Sequence, residues 1–287
     1  MSNFQDLPDE LILKVLSYSK IKALITCGQA SKRIRKISRD NSLWRRVTLK
    51  KKIVKTELLE LILGKGCTIL RISNSTILGS LNSKLKSQIR VLDLSQLDPW
   101  DRDWTFPNPT DWTFPNPTQI NCTGNIEALE NLLLSCSTLQ HLSMTGLFVS
   151  PKMVDSICKN GKTLQVLNLN NSFVFESSYA YTEEDSRDRF DYTVPLSKFQ
   201  EIIKFCQELK EVNLNYINEE DGLTNNEGLQ NDDLEFFAEH LSPNVEKINL
   251  QSTLKGGLAD GEVEILLKRC NKIKKLNLDA KILIVVD

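Results

Sequence analysis

One short phrase recurs seven times along the 287-residue chain, and that recurrence limits the fold more than any other feature. It reads CTILRIS from Cys67, IRVLDLS from Ile89, LQHLSMT from Leu139 and LQVLNLN from Leu164. It returns as LKEVNLN from Leu209, VEKINLQ from Val245 and IKKLNLD from Ile273. Each copy fits L-x-x-L-x-L, with Ile, Val, Met or Cys admitted at the apolar positions. The second half alternates with period two, which suits a short strand with one buried face. Helix-period segments precede most copies: IEALENLLLSC, PKMVDSIC, LSKFQEIIKFC, DDLEFFAEHL and GEVEILLKRC. Cys136, Cys206 and Cys270 stand six residues before Leu142, Val212 and Leu276, as small hydrophobes where helix meets strand.

Strand plus helix in roughly 25 residues is the leucine-rich-repeat unit, which cannot bury its apolar face alone. Stacked units predict an α/β solenoid with parallel strands on the concave side and helices on the convex side. The expected organisation is a helical module over 1–48, a helical linker or first repeat over 49–66, and repeats over 67–287. Irregular spacing places loop insertions at about 96–125, 176–194 and 218–232. The first holds a tandem octapeptide, DWTFPNPT, at Asp103–Thr110 and Asp111–Thr118, whose four prolines oppose regular structure. The array reads as truncated at its C-terminus: a solenoid normally ends in a polar cap, but KILIVVD follows the final phrase and suggests a last edge strand.

In each strand the residues flanking the central apolar position face the concave side. One expected column contains Arg71, Asp93, Ser143, Asn168, Asn213, Asn249 and Asn277. The next contains Ser73, Ser95, Thr145, Asn170, Asn215, Gln251 and Asp279, and a third contains His141, Glu211, Lys247 and Lys275. These hydrogen-bonding side chains suit an extended peptide, and equally suit plain solvation of an open sheet. Lys247 and Lys275 are expected to be stacked neighbours, a place for a phosphate.

Composition narrows the function classes. Net charge is −1 and 25% of residues are charged, so the whole molecule has no strong pull toward nucleic acid or membrane. The basic run from Lys32 to Lys55 reads as the solvated side of the first helices, with nuclear localisation or nucleic-acid contact as the rival reading. Seven cysteines without a CxxC pair favour reduced thiols in the cytosol or nucleus. MSNFQDLPDE lacks the marks of a signal peptide, and no apolar run approaches the ~20 residues of a membrane span. The two histidines, His141 and His240, form no metal-ligand spacing. The expectation is a non-catalytic protein without metal or cofactor, placed in nucleus and cytoplasm.

The first 48 residues do not carry the repeat. Pro8, Asp9 and Glu10 mark a helix start, and Leu11, Ile12, Val15 and Leu16 share one helical face. Ile21, Leu24, Ile25 and Cys27 begin a second helix, and Ile34, Ile37, Leu43 and Trp44 complete a small cluster. Some 45 residues make a marginal core that usually leans on a neighbour. LPDELILKVLSY, then ASKRIRKISRD, then SLWRRV resembles the F-box, with departures at Ser31 and Ile34. An F-box followed by cysteine-containing repeats resembles the F-box/leucine-rich-repeat family, the substrate receptors of SCF (Skp1–cullin–F-box) ubiquitin ligases.

That resemblance implies binding to Skp1 through Phe4, Leu7, Pro8, Leu11, Ile12, Val15, Leu16, Leu24 and Trp44, and through Skp1 to a cullin–RING scaffold. It also implies a protein substrate on the concave face, a phosphorylated cell-cycle regulator among the options, with a Cks-type accessory protein. The mechanism it implies is positioning: a held substrate raises the effective concentration of its lysine beside a loaded conjugating enzyme. The rival class is a repeat scaffold or inhibitor acting outside any ligase.

Overall fold

The computed structural model describes residues 7–50, 53–73, 75–95, 122–145, 147–169, 173–174, 196–214, 231–250, 260–278 and 281–283. The chain is mixed α/β. It opens with helices α1 (Asp9–Leu16), α2 (Ile21–Ala30) and α3 (Lys32–Ser38), then a 3-10 turn over Asn41–Trp44. Strands β1 (Arg46–Lys50) and β2 (Ile53–Lys55), helix α4 (Thr56–Gly64) and strands β3 (Ile69–Ser73), β4 (Thr76–Leu78) and β5 (Val91–Asp93) follow. Next come α5 (Cys122–Ser135), β6 (His141–Ser143), β7 (Phe148–Val149), α6 (Pro151–Lys159), β8 (Val166–Asn168) and β9 (Phe173–Val174). The series closes with α7 (Leu196–Phe205), β10 (Glu211–Asn213), α8 (Asn231–His240), β11 (Lys247–Asn249), α9 (Asp260–Arg269), β12 (Lys275–Leu278) and β13 (Lys281–Leu283).

Nine strands form one sheet in the order β1-β3-β5-β6-β8-β10-β11-β12-β13, and two small pairs, β2-β4 and β7-β9, stand apart from it. From β1 to β12 every neighbour in the large sheet is parallel, so each step needs a crossover. Leu70, Leu92, Leu142, Leu167, Val212, Ile248 and Leu276, the second apolar position of each phrase, align in one unbroken register. All seven are at most 3% exposed, because the helices cover that side. Cys136, Cys206 and Cys270 are buried beside them, as their spacing predicts.

The last strand, β13, turns back antiparallel on β12, pairing Leu276 with Leu283. The tail therefore supplies an edge strand over Lys281–Leu283. The octapeptide tandem, the 176–194 insertion and most of the 218–232 insertion lie outside the described residues, as do Phe4, Asn170, Asn215, Gln251 and Asp279.

Two cores organise the chain. Ile12, Leu16, Leu24, Ile34 and Ile37 form the small one among the first helices. The large one runs from Trp44 to Leu276, and Leu43 packs against both. Strand follows directly on the 3-10 turn, for β1 begins at Arg46 and pairs with β3.

Close approaches fix local details. A Cβ on Gly28 of α2 would sit 2.8 Å from the Ser38 hydroxyl of α3, so that crossing needs a glycine. Between repeats, Asn160 is 3% exposed and its amide donates to the Cys136 carbonyl at 3.1 Å and the Ser156 carbonyl at 2.9 Å. Its oxygen accepts from the Leu139 amide at 3.2 Å, stapling one repeat to the one before it.

Candidate protein-interaction surfaces

The first helices explain their own sequence. Asp9 and Glu10 occupy the first turn of α1, where carboxylates favour the helix dipole, and Ser31 caps α3 by accepting from the Ile34 amide at 3.1 Å. Arg33 reaches from α3 back to the start of α1. Its guanidinium donates to the Asp9 carboxylate at 2.7 Å and to the Leu7 carbonyl at 2.7 Å. Arg35 donates to the Gly28 carbonyl at 2.8 Å, so part of the basic run serves as internal struts. Trp44 buries its ring and donates its indole N–H to the Ser38 carbonyl at 3.0 Å.

These contacts divide the residues that the F-box resemblance assigns to a partner. Ile12, Leu16, Leu24 and Trp44 are at most 3% exposed, packed inside the chain, so they support the surface rather than present it. Leu7 is half-buried and Pro8 is exposed. Leu11 and Val15 remain 51% and 48% exposed, and Tyr18 extends the same stripe at i, i+4 and i+7. Ile25 on α2 is a further large apolar side chain left open, one that the resemblance did not supply. Large apolar side chains are also exposed outside this module, among them Ile53 and Phe205, but here four of them, Leu11, Val15, Tyr18 and Ile25, fall within 15 residues.

The second surface is the open face of the large sheet. The column Arg71–Asp93–Ser143–Asn168–Asn213–Asn249–Asn277 is in register across seven adjacent strands, as the phrase spacing predicts. Except for the exposed Arg71, its members are partly buried. Toward β1 the face is hydroxyl-rich: the Ser95 and Ser143 hydroxyls lie 2.5 Å apart, and Ser95 also reaches Thr145 at 3.5 Å. The Asp93 carboxylate accepts from the Ser95 amide at 3.0 Å and faces Arg71 at 4.0 Å. His141 is exposed, with Val91 and Val166 as its register neighbours.

Toward β12 the face is charged. Lys247 and Lys275 are register neighbours, as their spacing predicts. They are not two equivalent open cations, however. The Lys247 ammonium donates to Glu211 at 2.6 Å, and this bond and charge raise the Lys247 pKa. An incoming anion must compete with Glu211 for Lys247. The phrase already places Glu211 beside Lys247 in one column, and the structure closes that neighbourhood into an ion pair.

Burial pushes the Cys67 thiol up to about 11, Cys206 to about 12 and Cys270 to about 11, away from thiolate character. Among the described residues no cluster of His, Cys, Asp and Glu could hold a metal ion, and no helix is long and apolar enough to cross a membrane. In comparison with protein families, residues 4–50, which span the helical module and β1, match the F-box-like family, so the chain carries an F-box-like domain at its N-terminus.

Proposed function

We propose that this chain is the substrate-recognition subunit of an SCF ubiquitin ligase, binding Skp1 through its F-box-like domain. The observation that carries the reading is the F-box-like match over residues 4–50, on a module whose Leu11 and Val15 stay half exposed. Pro8, Leu11 and Val15 are the contact residues in this reading, with Leu7 at the margin and Ile12, Leu16, Leu24 and Trp44 holding them in place. Phe4 precedes the described residues and belongs to the same proposed contact.

In this reading the sheet and its helices are a leucine-rich-repeat solenoid whose open face presents a protein substrate. The substrate contacts are His141, Ser143, Thr145, Asn168, Asn213, Lys247, Asn249, Lys275 and Asn277, with Asn170, Asn215 and Gln251 continuing their column. The repeat segments TELLELILGKGCTILRI, LLLSCSTLQHLSMTGL and LLKRCNKIKKLNLD resemble the S-phase kinase-associated F-box protein. A phosphorylated cell-cycle regulator as substrate, a Cks-type accessory protein, attachment to a cullin–RING scaffold, and action in nucleus and cytoplasm follow from that closer resemblance. The chain contributes position and no proton transfer.

The test is co-expression with Skp1 followed by size-exclusion chromatography, with a Leu11→Asp/Val15→Asp variant alongside. Both side chains are already half in water, so the variant is expected to fold and to lose Skp1. A folded wild-type chain that elutes without Skp1 refutes the reading and leaves a repeat scaffold outside the ligase.

A further inference from the structure

We propose that the residues standing immediately before the strands form a docking edge for an extended acidic segment of a partner protein. This edge is separate from the apolar stripe on α1 and from the open-face columns, and it does not depend on the ligase reading. The row begins Arg45, Thr68, Arg90, Gln140, Gln165, Lys210, each residue directly preceding a strand of the large sheet.

Backbone hydrogen bonds tie the row together. The Thr68 amide donates to the Arg45 carbonyl at 3.0 Å, Arg90 to Thr68 at 2.8 Å, and Gln140 to Arg90 at 2.8 Å. Gln165 donates to Gln140 and Lys210 to Gln165, each at 2.7 Å. Neighbours in the row are therefore one strand step apart, about 4.8 Å.

From Arg45 to Lys210 every charged member of the row is positive, and Glu246 is the first acid to follow. Arg45, Arg90 and Lys210 are exposed and make no ion pair among the described residues. Lys65 and Lys162, three residues before Thr68 and Gln165, add positive charge to the same turns. Farther along the row the carboxylate of Glu246 is already held by Lys274 at 3.0 Å. The positive field is felt there: Lys274, then Lys210 and Lys247, draw the Glu246 carboxyl below its usual range. A chain with a formal net charge of −1 thus shows three exposed cations outside any ion pair, Arg45, Arg90 and Lys210, along one edge of the described structure.

The spacing suits a polypeptide. Arg45 and Arg90 are two strand steps apart, about 10 Å, and Arg90 and Lys210 three, about 14 Å. An extended chain advances about 3.4 Å per residue, so carboxylates three and then four residues apart meet those cations. Half-buried Gln140 and Gln165 lie between them, each with amide donors and an acceptor for a peptide backbone. No aromatic side chain stands in this stretch of the row, so it lacks the stacking platform that single-stranded nucleic acid uses.

The test is fluorescence anisotropy with the full chain and a labelled Ser/Glu peptide whose glutamates are three and four residues apart. Comparison probes are the same peptide with Lys for Glu and a single-stranded oligonucleotide of similar length. Saturable binding of the acidic peptide is expected at about 50 mM salt, weakening at about 300 mM as screening shortens the reach of the charges. Arg45→Glu/Arg90→Glu/Lys210→Glu should weaken it about tenfold or more, since exposed pairs contribute little singly and add over three sites. The milder Arg45→Gln/Arg90→Gln/Lys210→Gln variant should fall between, with an unchanged circular dichroism melt. A control reversal of the same charge at Lys22, Lys55 and Lys152 should bind almost as wild type. Absent binding, undiminished affinity after reversal of the row, equal loss in the control, or tighter binding of the oligonucleotide would each overturn the proposal.

Discussion

Replacing Asn160 by alanine should cost this chain more than any surface change, and the cost can be worked from three hydrogen bonds. The Asn160 side chain bonds the Leu139 amide and the Cys136 and Ser156 carbonyls, and Leu139 and Cys136 are 0% and 5% exposed. Truncation leaves the Leu139 amide and Cys136 carbonyl without these partners in a site closed to water. Each orphaned group costs about 1–3 kcal/mol, so the expected loss for the two is about 2–6 kcal/mol. Asn160→Asp keeps the acceptor but aims a carboxylate at two carbonyls. Burial and those carbonyls raise its pKa in the folded state, so the deficit should be full and level above that raised value and shrink as pH falls from it toward the ordinary carboxylate range. The assays are urea unfolding followed by circular dichroism and hydrogen exchange at the Leu139 amide, because a repeat array can open locally before it unfolds globally. An alanine variant that loses less than about 1 kcal/mol and keeps the Leu139 amide protected would refute the idea that Asn160 is the staple.

Two further outcomes test the packing. Gly161 occupies the place, six residues before Leu167, where three other repeats carry Cys136, Cys206 and Cys270. Restoring the repeat pattern with Gly161→Cys should destabilise the chain by about 1–3 kcal/mol, measured by urea midpoint, because overpacking forces backbone to move. The added Cβ would lie 2.8 Å from the Phe205 carbonyl carbon and 2.9 Å from the Cys158 carbonyl oxygen; an unchanged midpoint would show that α7 yields freely. Alkylation by iodoacetamide near pH 8 should spare Cys67, Cys136, Cys206 and Cys270 in the native chain, with peptide mass spectrometry as the readout. Their folded pKa values are raised, so the native state keeps protons that the unfolded state gives up. Their contribution is therefore level below the ordinary value of 9.0 and is lost as pH rises toward about 11 for Cys67 and about 12 for Cys206. Native labelling of Cys206 at the rate of a free thiol would contradict that burial.

The strand columns were legible in the sequence because period-two alternation and a fixed phrase determine both which side chains share a face and which residues align. Asn213 meets Asn249, and Lys247 meets Lys275, as counting along the phrase predicts. Relations across the chain were not legible. RVTLK carries no copy of the phrase, yet it forms β1, because β3 offers it a parallel partner. The two-residue pairing of β7 with β9 is too short for any periodic signal. Within the helical module, composition identified the apolar set but not its division. Ile12 and Leu11 are adjacent in sequence and apolar alike, and only the path of α3 decides that one is buried and the other open.

Leu43 touches both cores, and Trp44 anchors the next residue in the larger one while its indole holds the end of α3. With β1 starting two residues later, almost no slack chain separates the helical module from the sheet. The connection behaves as a welded joint. A ligand seated on the α1 stripe and another lying across the sheet are held at a set gauge, as between the jaws of a caliper. Lengthening the chain between Trp44 and Arg46 would leave both surfaces intact and still spoil any task that requires the two ligands to meet at a fixed distance.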